Sequence, residues 1–201
     1  LLARRRREAT DDLVSDLAAL QAEGAPLSDK ELLINLTALL VGGNLTTTDL
    51  MASGVKLFLQ HPAERDRLRA DPSLAASAVE EVLRLEAPVD FTPRVAPCPM
   101  QVDGVEVAEG TPMFSLLRAA NRDPEAFPDP DRFDIGRSGA PHVAFGGGAH
   151  SCIGAALARL EARIFFPRFL AAFPAARLAE QEYRYRALPG FRGLQELWVE
   201  A

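Results

Sequence analysis

From Leu27 to His61 the chain has no proline, although Pro26 and Pro62 stand just outside that run. Proline breaks or kinks a helix interior, so its absence here permits one unusually long helix. The start is marked as well. Ser28-Asp29-Lys30-Glu31 is a capping box, in which the Ser and Glu side chains reciprocally satisfy orphan backbone N–H groups. Asp29 to about Gln60 is therefore predicted helical, and at 1.5 Å per residue it extends about 48 Å. A helix of that length is expected to cross the whole molecule.

Its middle is written against helix stability. Val41-Gly42-Gly43-Asn44-Leu45-Thr46-Thr47-Thr48 holds two glycines, each costing about 1 kcal/mol relative to Ala, and a run of β-branched threonines. Three explanations compete: close helix–helix packing, a kink, or a ligand lying against bare backbone. Gly43, Thr46 and Thr47 are spaced i, i+3, i+4 and share one helix face.

Composition narrows the class. Apolar residues at 48% and charged residues at 25% fit a globular domain rather than a disordered chain. A net charge of −6 has the wrong sign for general nucleic-acid binding. Two cysteines, Cys98 and Cys152, are too few for a disulfide framework or an all-cysteine zinc module. The longest apolar run, Leu32 to Val41, is interrupted by Asn35 and Thr37 and falls short of the ~20 residues of a membrane span, so no membrane association is expected. Leu1-Leu2-Ala3 is followed at once by four arginines, unlike a signal peptide. A reducing, cytoplasmic setting is expected. A start without Met, in mid-pattern, reads as a fragment.

The remaining elements follow from local signals. Arg4 to Gln21 is predicted as one amphipathic segment on Leu13, Leu17 and Leu20. The Arg4–Arg7 run is read as a solvated helix end rather than a nucleic-acid patch. His61-Pro62 stops the long helix, and Asp71-Pro72 opens another that runs to about Glu86. Glu81 and Arg84 face each other on it. Phe91 to Val95 is extended, Asp103-Gly104 joins a hairpin of 100–102 and 105–107, and Met113 to Leu116 is a further strand. Asn121 to Arg137, rich in Pro and Asp, is predicted as an ordered meander pinned by Phe127 and Phe133. The tail from Tyr183 to Val199 is extended, with a turn at Pro189-Gly190.

Between meander and tail runs a glycine-rich loop, and Cys152 lies just ahead of the helix that follows and slows at Pro167. The helix N-terminus and the glycine N–H groups both favour a thiolate. Cys152 is thus a candidate ligand or nucleophile, whereas Cys98, between two prolines, is read as structural. A phosphate loop would need a Lys that is absent. Zinc wants more ligands than Cys152, His150 and His142 supply at this spacing. A cysteine-dependent hydrolase, with Cys152 as nucleophile and His142 or His61 as base, stays open. So does a single axial thiolate to haem iron.

The string Phe145-Gly146-Gly147-Gly148-Ala149-His150-Ser151-Cys152-Ile153-Gly154 resembles the haem-binding loop of the cytochromes P450, Phe-Gly-x-Gly-x-His-x-Cys-x-Gly, at every fixed position. Three further segments resemble that family's landmarks in order: Gly42-Gly43-Asn44-Leu45-Thr46-Thr47, Glu81-x-x-Arg84, and Pro130-Asp131-Arg132-Phe133. The resemblance spans essentially the whole chain. It implies a mainly α fold with small β-sheets, the C-terminal half of the cytochrome P450 fold: long central helix, Glu-x-x-Arg helix, meander, Cys loop and following helix. Residues 1–201 are then a single domain fragment without its N-terminal half.

The resemblance also assigns roles. Haem b (iron protoporphyrin IX) is the implied cofactor, with Cys152 its iron ligand. Phe145, Gly146, Gly148 and Gly154 form the loop around it, and Arg94, His142 and His150 are partners of the haem propionates. Glu81, Arg84 and Arg132 form a structural network. Thr46, with Gly43 beside it, occupies the catalytic position that handles dioxygen and its proton. Leu39, Gly42, Val89, Phe91 and Phe191 line a pocket for a small apolar substrate. The implied activity is monooxygenation of that substrate, with electrons from a ferredoxin-type donor; Arg159 and Arg163, with Arg118 and Arg137, are read either as the face that docks it or as a solvated helix face. One residue departs from the pattern: Leu45 stands where the family has a proton-feeding Asp or Glu. That keeps a peroxide-driven peroxygenase open beside the monooxygenase.

Overall fold

The computed structural model describes all 201 residues. They form two compact units, Leu1–Leu45 and Thr46–Ala201.

The first unit holds α1 (Leu2–Arg5), α2 (Leu13–Ala22) and the opening of α3 (Asp29–Gln60). The stretch predicted as one amphipathic segment from Arg4 to Gln21 is therefore broken in two. The Asp12 backbone is extended and its carboxylate accepts the Ser15 N–H at 2.8 Å, capping α2 and stopping a helix from running through. Leu2, Ala18 and Leu32 form a small core with Val14, Leu17 and Leu36, while Leu13 and Leu20 face solvent. In the arginine run, Arg5 pairs with Asp12 and Arg6 with Asp29, so these cations serve the chain itself. The capping box of α3 closes as predicted: Ser28 N–H donates to Glu31 Oε2 at 2.8 Å, and Glu31 N–H to Ser28 Oγ at 3.2 Å.

The second unit continues α3 and adds α4 (Pro62–Ala70), a 3-10 turn (Pro72–Leu74), α5 (Ala75–Leu85), α6 (Leu117–Ala120) and α7 (Ala155–Ala172). Pro62 both ends α3 and opens α4, because a missing N–H costs nothing in a first turn. Asp71 caps the 3-10 turn, accepting Ser73 N–H at 3.0 Å, and α5 starts only after it. Pro167 does not end α7, which continues through it to Ala172.

Three small antiparallel sheets complete the unit: β1 (Phe91–Val95) with β4 (Pro112–Leu116), β2 (Met100–Val102) with β3 (Val105–Val107), and β5 (Arg177–Leu178) with β6 (Val199–Glu200). Asp103 and Gly104 both take positive φ, 48° and 77°, as the tight hairpin turn between β2 and β3 requires. Phe127 and Phe133 are buried and pin the meander.

The core joins α3, α5 and α7. The Phe58 ring packs edge-on against Phe133 and Phe166, each at 5.4 Å between centroids. Phe166 seats directly on Gly54 of α3, where any Cβ would collide with the ring. Val79, Val82, Leu83, Ile135 and Leu170 fill in around them. This packing fixes α5 and α7, the two helices that carry the charged residues beside the Cys loop. No helix is long and apolar enough to cross a membrane.

Candidate functional site

The glycine loop doubles back on itself. Gly146 and Gly148 both have φ of 67°, a left-handed conformation that suits residues without a side chain. Gly146 N–H donates to Val143 O at 2.8 Å, and Cys152 N–H to Phe145 O at 3.0 Å, which closes the turn. Gly154 then caps α7. Cys152 is exposed, and its Sγ stands just ahead of the positive end of an eighteen-residue helix. A Cβ added to Gly147 or Gly148 would meet nothing within 4 Å, so the loop presents a bare face.

These residues fit a haem. The donor set is one accessible thiol at a helix N-terminus, which would suit a haem iron held by a single cysteine. Arg94 on β1 spends one N–H on Pro93 O at 2.7 Å and has no carboxylate partner, and His150 is exposed, so both remain available to propionates.

His142 does not fit its expected role. Its ring is almost fully buried; Nε2 lies 3.1 Å from Glu80 Oε2, and Nδ1 accepts the Ala144 N–H at 3.1 Å. With both nitrogens engaged, His142 has none left for a propionate or for a base beside Cys152. His61, the other candidate base, is exposed and packs against Phe133 at 5.4 Å. The hydrolase reading thus loses its His142 partner. Cys98, read as structural, is exposed.

The structural network also differs from expectation. Arg84 donates from Nε and Nη2 to Glu81 at 2.8 and 2.9 Å, both side chains being almost fully buried. The third arginine is Arg137, not Arg132. Arg137 Nε donates to Glu81 Oε1 at 3.1 Å, whereas the Arg132 side chain points to solvent, 3.6 Å from Asp134. Arg132 contributes only its carbonyl, which accepts from Arg84 at 3.1 Å and Arg137 at 2.9 Å. Buried Asn121 links the network to the Cys loop: its carbonyl accepts from Arg84 at 2.9 Å, and its Oδ1 accepts Val143 N–H at 2.7 Å. Nothing in the sequence marks a lone Asn for that task.

Three of the four arginines expected to dock a donor are occupied internally. Arg137 belongs to the network. Arg118 pairs with Asp90 at 3.2 Å and Glu86 at 3.4 Å. Arg159 binds Glu80 through Nε and Nη2, both at 2.8 Å, and lies over the Phe145 ring at 4.6 Å. Burial alone would push the Glu80 carboxyl up, but hydrogen bonds and charge from His142 and Arg159 hold it down at about 2. Arg163 remains exposed on α7.

Of the expected pocket residues, Val89 and Phe191 are brought together in an isolated antiparallel bridge, flanked by Asp90 N–H to Gly190 O at 2.9 Å and Arg192 N–H to Pro88 O at 2.8 Å. Phe91 stands beside them against Phe114, with ring centroids 5.2 Å apart. Leu39 lies exposed on α3, as do Gly42 and Gly43, where an added Cβ would meet nothing within 4 Å. Leu45 and Thr46 are half-buried on the same helix.

Comparison with known proteins agrees with this geometry. The family model described as Cytochrome P450 matches residues 2–183. The biotin biosynthesis cytochrome P450 of Bacillus subtilis is 43% identical over 99% of this chain and 50% of its own length. The steroid C26-monooxygenase of Mycobacterium tuberculosis is 38% identical over 90% of this chain and 49% of its own. The crystal structure of myxobacterial cytochrome P450 CYP267B1 in complex with myristic acid superposes with a TM-score of 0.91 at 46% identity, covering 98% of this chain and 50% of that one. The chain spans about half the length of the curated relatives it matches. On motif order, fold and sequence identity together, it belongs to the cytochrome P450 family, whose members depend on haem b.

Proposed function

We propose that the intact protein is a haem-thiolate monooxygenase that inserts one oxygen atom from dioxygen into a small apolar substrate, drawing electrons from a redox partner. The observation that carries this reading is the exposed Cys152 thiol on its closed glycine loop at the N-terminus of α7. When bound, haem b supplies the dioxygen-activating chemistry, and a thiolate ligand favours O–O cleavage. The chain's own residues do the rest. Cys152 holds the iron, its charge tempered by the positive end of α7. Arg94 and His150 take the propionates. Gly42 and Gly43 leave room beside α3 for dioxygen and substrate, and Thr46 Oγ1 holds the proton that the reaction consumes. Val89, Phe91 and Phe191 form an apolar wall, in keeping with the steroid and fatty-acid names among its relatives. The donor is of ferredoxin type and the compartment the cytoplasm. Arg163, exposed on α7, is the cation left from the expected docking set.

A second reading rests on Leu45, which carries no proton. A peroxide-driven enzyme would not need one delivered there. Turnover with heavy-isotope dioxygen and a reduced ferredoxin tests the pair. The monooxygenase reading predicts one labelled oxygen atom per product molecule. Product formed only when hydrogen peroxide is supplied, with no label from dioxygen, would replace it with the peroxygenase.

A further inference from the structure

Arg159, which the sequence offers for a docking or a solvated helix face, commits its guanidinium inside the molecule. Nε and Nη2 grip both oxygens of Glu80 at 2.8 Å, the fork geometry that fixes a guanidinium in place. Its face lies 4.6 Å over the Phe145 ring. Glu80 is held in turn by His142 Nε2 at 3.1 Å, and His142 by the Ala144 N–H at 3.1 Å. One carboxylate on α5 thus joins α7 to the Cys loop. Phe145, under the guanidinium, accepts the Cys152 N–H at 3.0 Å. Arg159 stands in the second turn of α7, whose N-terminal cap, Gly154, comes two residues after Cys152.

We propose that Arg159, clamped by Glu80 and laid over Phe145, acts electrostatically on the Cys152 thiolate and helps set the reduction potential of the bound haem, instead of docking the electron donor. This rests on the reading of Cys152 as the iron ligand. The charges are permanent at working pH. The Arg159 guanidinium is raised by its hydrogen bond to Glu80, against the effect of burial, and further by the charges of Glu80 and of Cys152 itself. Reduction adds negative charge at the iron. A fixed cation nearby stabilises that added charge and raises the potential; a fixed anion lowers it. Glu80 therefore offsets part of what Arg159 does, and the pair sets a balance.

The test is a spectroelectrochemical titration of the intact, haem-loaded protein. Arg159→Met lowers the potential, and Glu80→Gln, which keeps a hydrogen-bonding oxygen, raises it. Arg159→Lys stays near the parent, and the double variant Arg159→Met/Glu80→Gln returns toward it. Unchanged potentials, with a salt-sensitive rise in KM for the donor, would overturn the proposal in favour of docking. Shifts of the same sign in both single variants would overturn it in favour of a purely mechanical staple. The ferrous–carbon monoxide spectrum of each variant separates these failures from a failure of Cys152 ligation, which alone removes the thiolate band from the parent protein.

Discussion

Arg137 Nε lies 3.1 Å from Glu81 Oε1, joining the meander to α5 across 56 residues of chain. Glu81 is 3% exposed, so this contact and the Arg84 pair settle a carboxylate that water cannot reach. The prediction separates two arginines five residues apart. Arg137→Ala removes a charge-assisted hydrogen bond to a buried group and lowers unfolding stability by about 1.5–3 kcal/mol. Arg132→Ala, whose side chain is 64% exposed, stays within about 0.5 kcal/mol of the parent. Urea denaturation of both variants decides it, and equal losses would return Arg132 to the network.

The Glu80 carboxyl sits at about 2 in the folded chain, against its ordinary 4.5. A carboxyl depressed by folding stabilises the fold above its unfolded value, and that contribution fades as pH falls toward the folded one. The stability gap between the parent and Glu80→Gln is thus full at neutral pH and narrows between about pH 5 and pH 2. Thermal melts across that window check it; a gap independent of pH would mean that Glu80 works by shape alone.

Gly54→Ala presses a methyl group into the Phe166 ring. The better helix propensity of Ala is worth about 1 kcal/mol, but overpacking at a buried α3–α7 contact costs about 1–3 kcal/mol, so the variant is destabilised. Pairing it with Phe166→Leu, which withdraws the ring, recovers part of the loss. Additive losses in the melting of the double variant would contradict a shared contact.

Leu45→Asp places a proton carrier beside Thr46 on α3. Product formed per electron consumed then rises, and released peroxide falls. If coupling does not change, protons already reach Thr46 by another route.

Local signals in the sequence make most of the fold legible. The limits of α3 follow from Ser28, Glu31 and Pro62, and the β2–β3 hairpin from Asp103-Gly104, because each signal acts within a few residues. What failed depends on partners far along the chain. His142 looks free in sequence but meets Glu80 at a separation of 62 residues. Arg132 and Arg137 share an aperiodic meander, where no spacing shows which turns inward. The Asp134–Arg137 turn decides it, with Gly136 N–H on Asp134 Oδ1 at 2.9 Å and Arg137 N–H on Asp134 O at 3.0 Å. The Cys loop was readable because its glycines, cysteine and helix start are contiguous. The docking arginines were not, since ion pairing with Glu80, Glu81, Glu86 and Asp90 absorbed three of them.

The ferrous–carbon monoxide spectrum of the intact protein and of Cys152→Ser tests the central claim most directly. The account predicts the red-shifted thiolate band in the parent and its loss in the variant. A parent that binds no haem, or a variant that keeps the band, would contradict it.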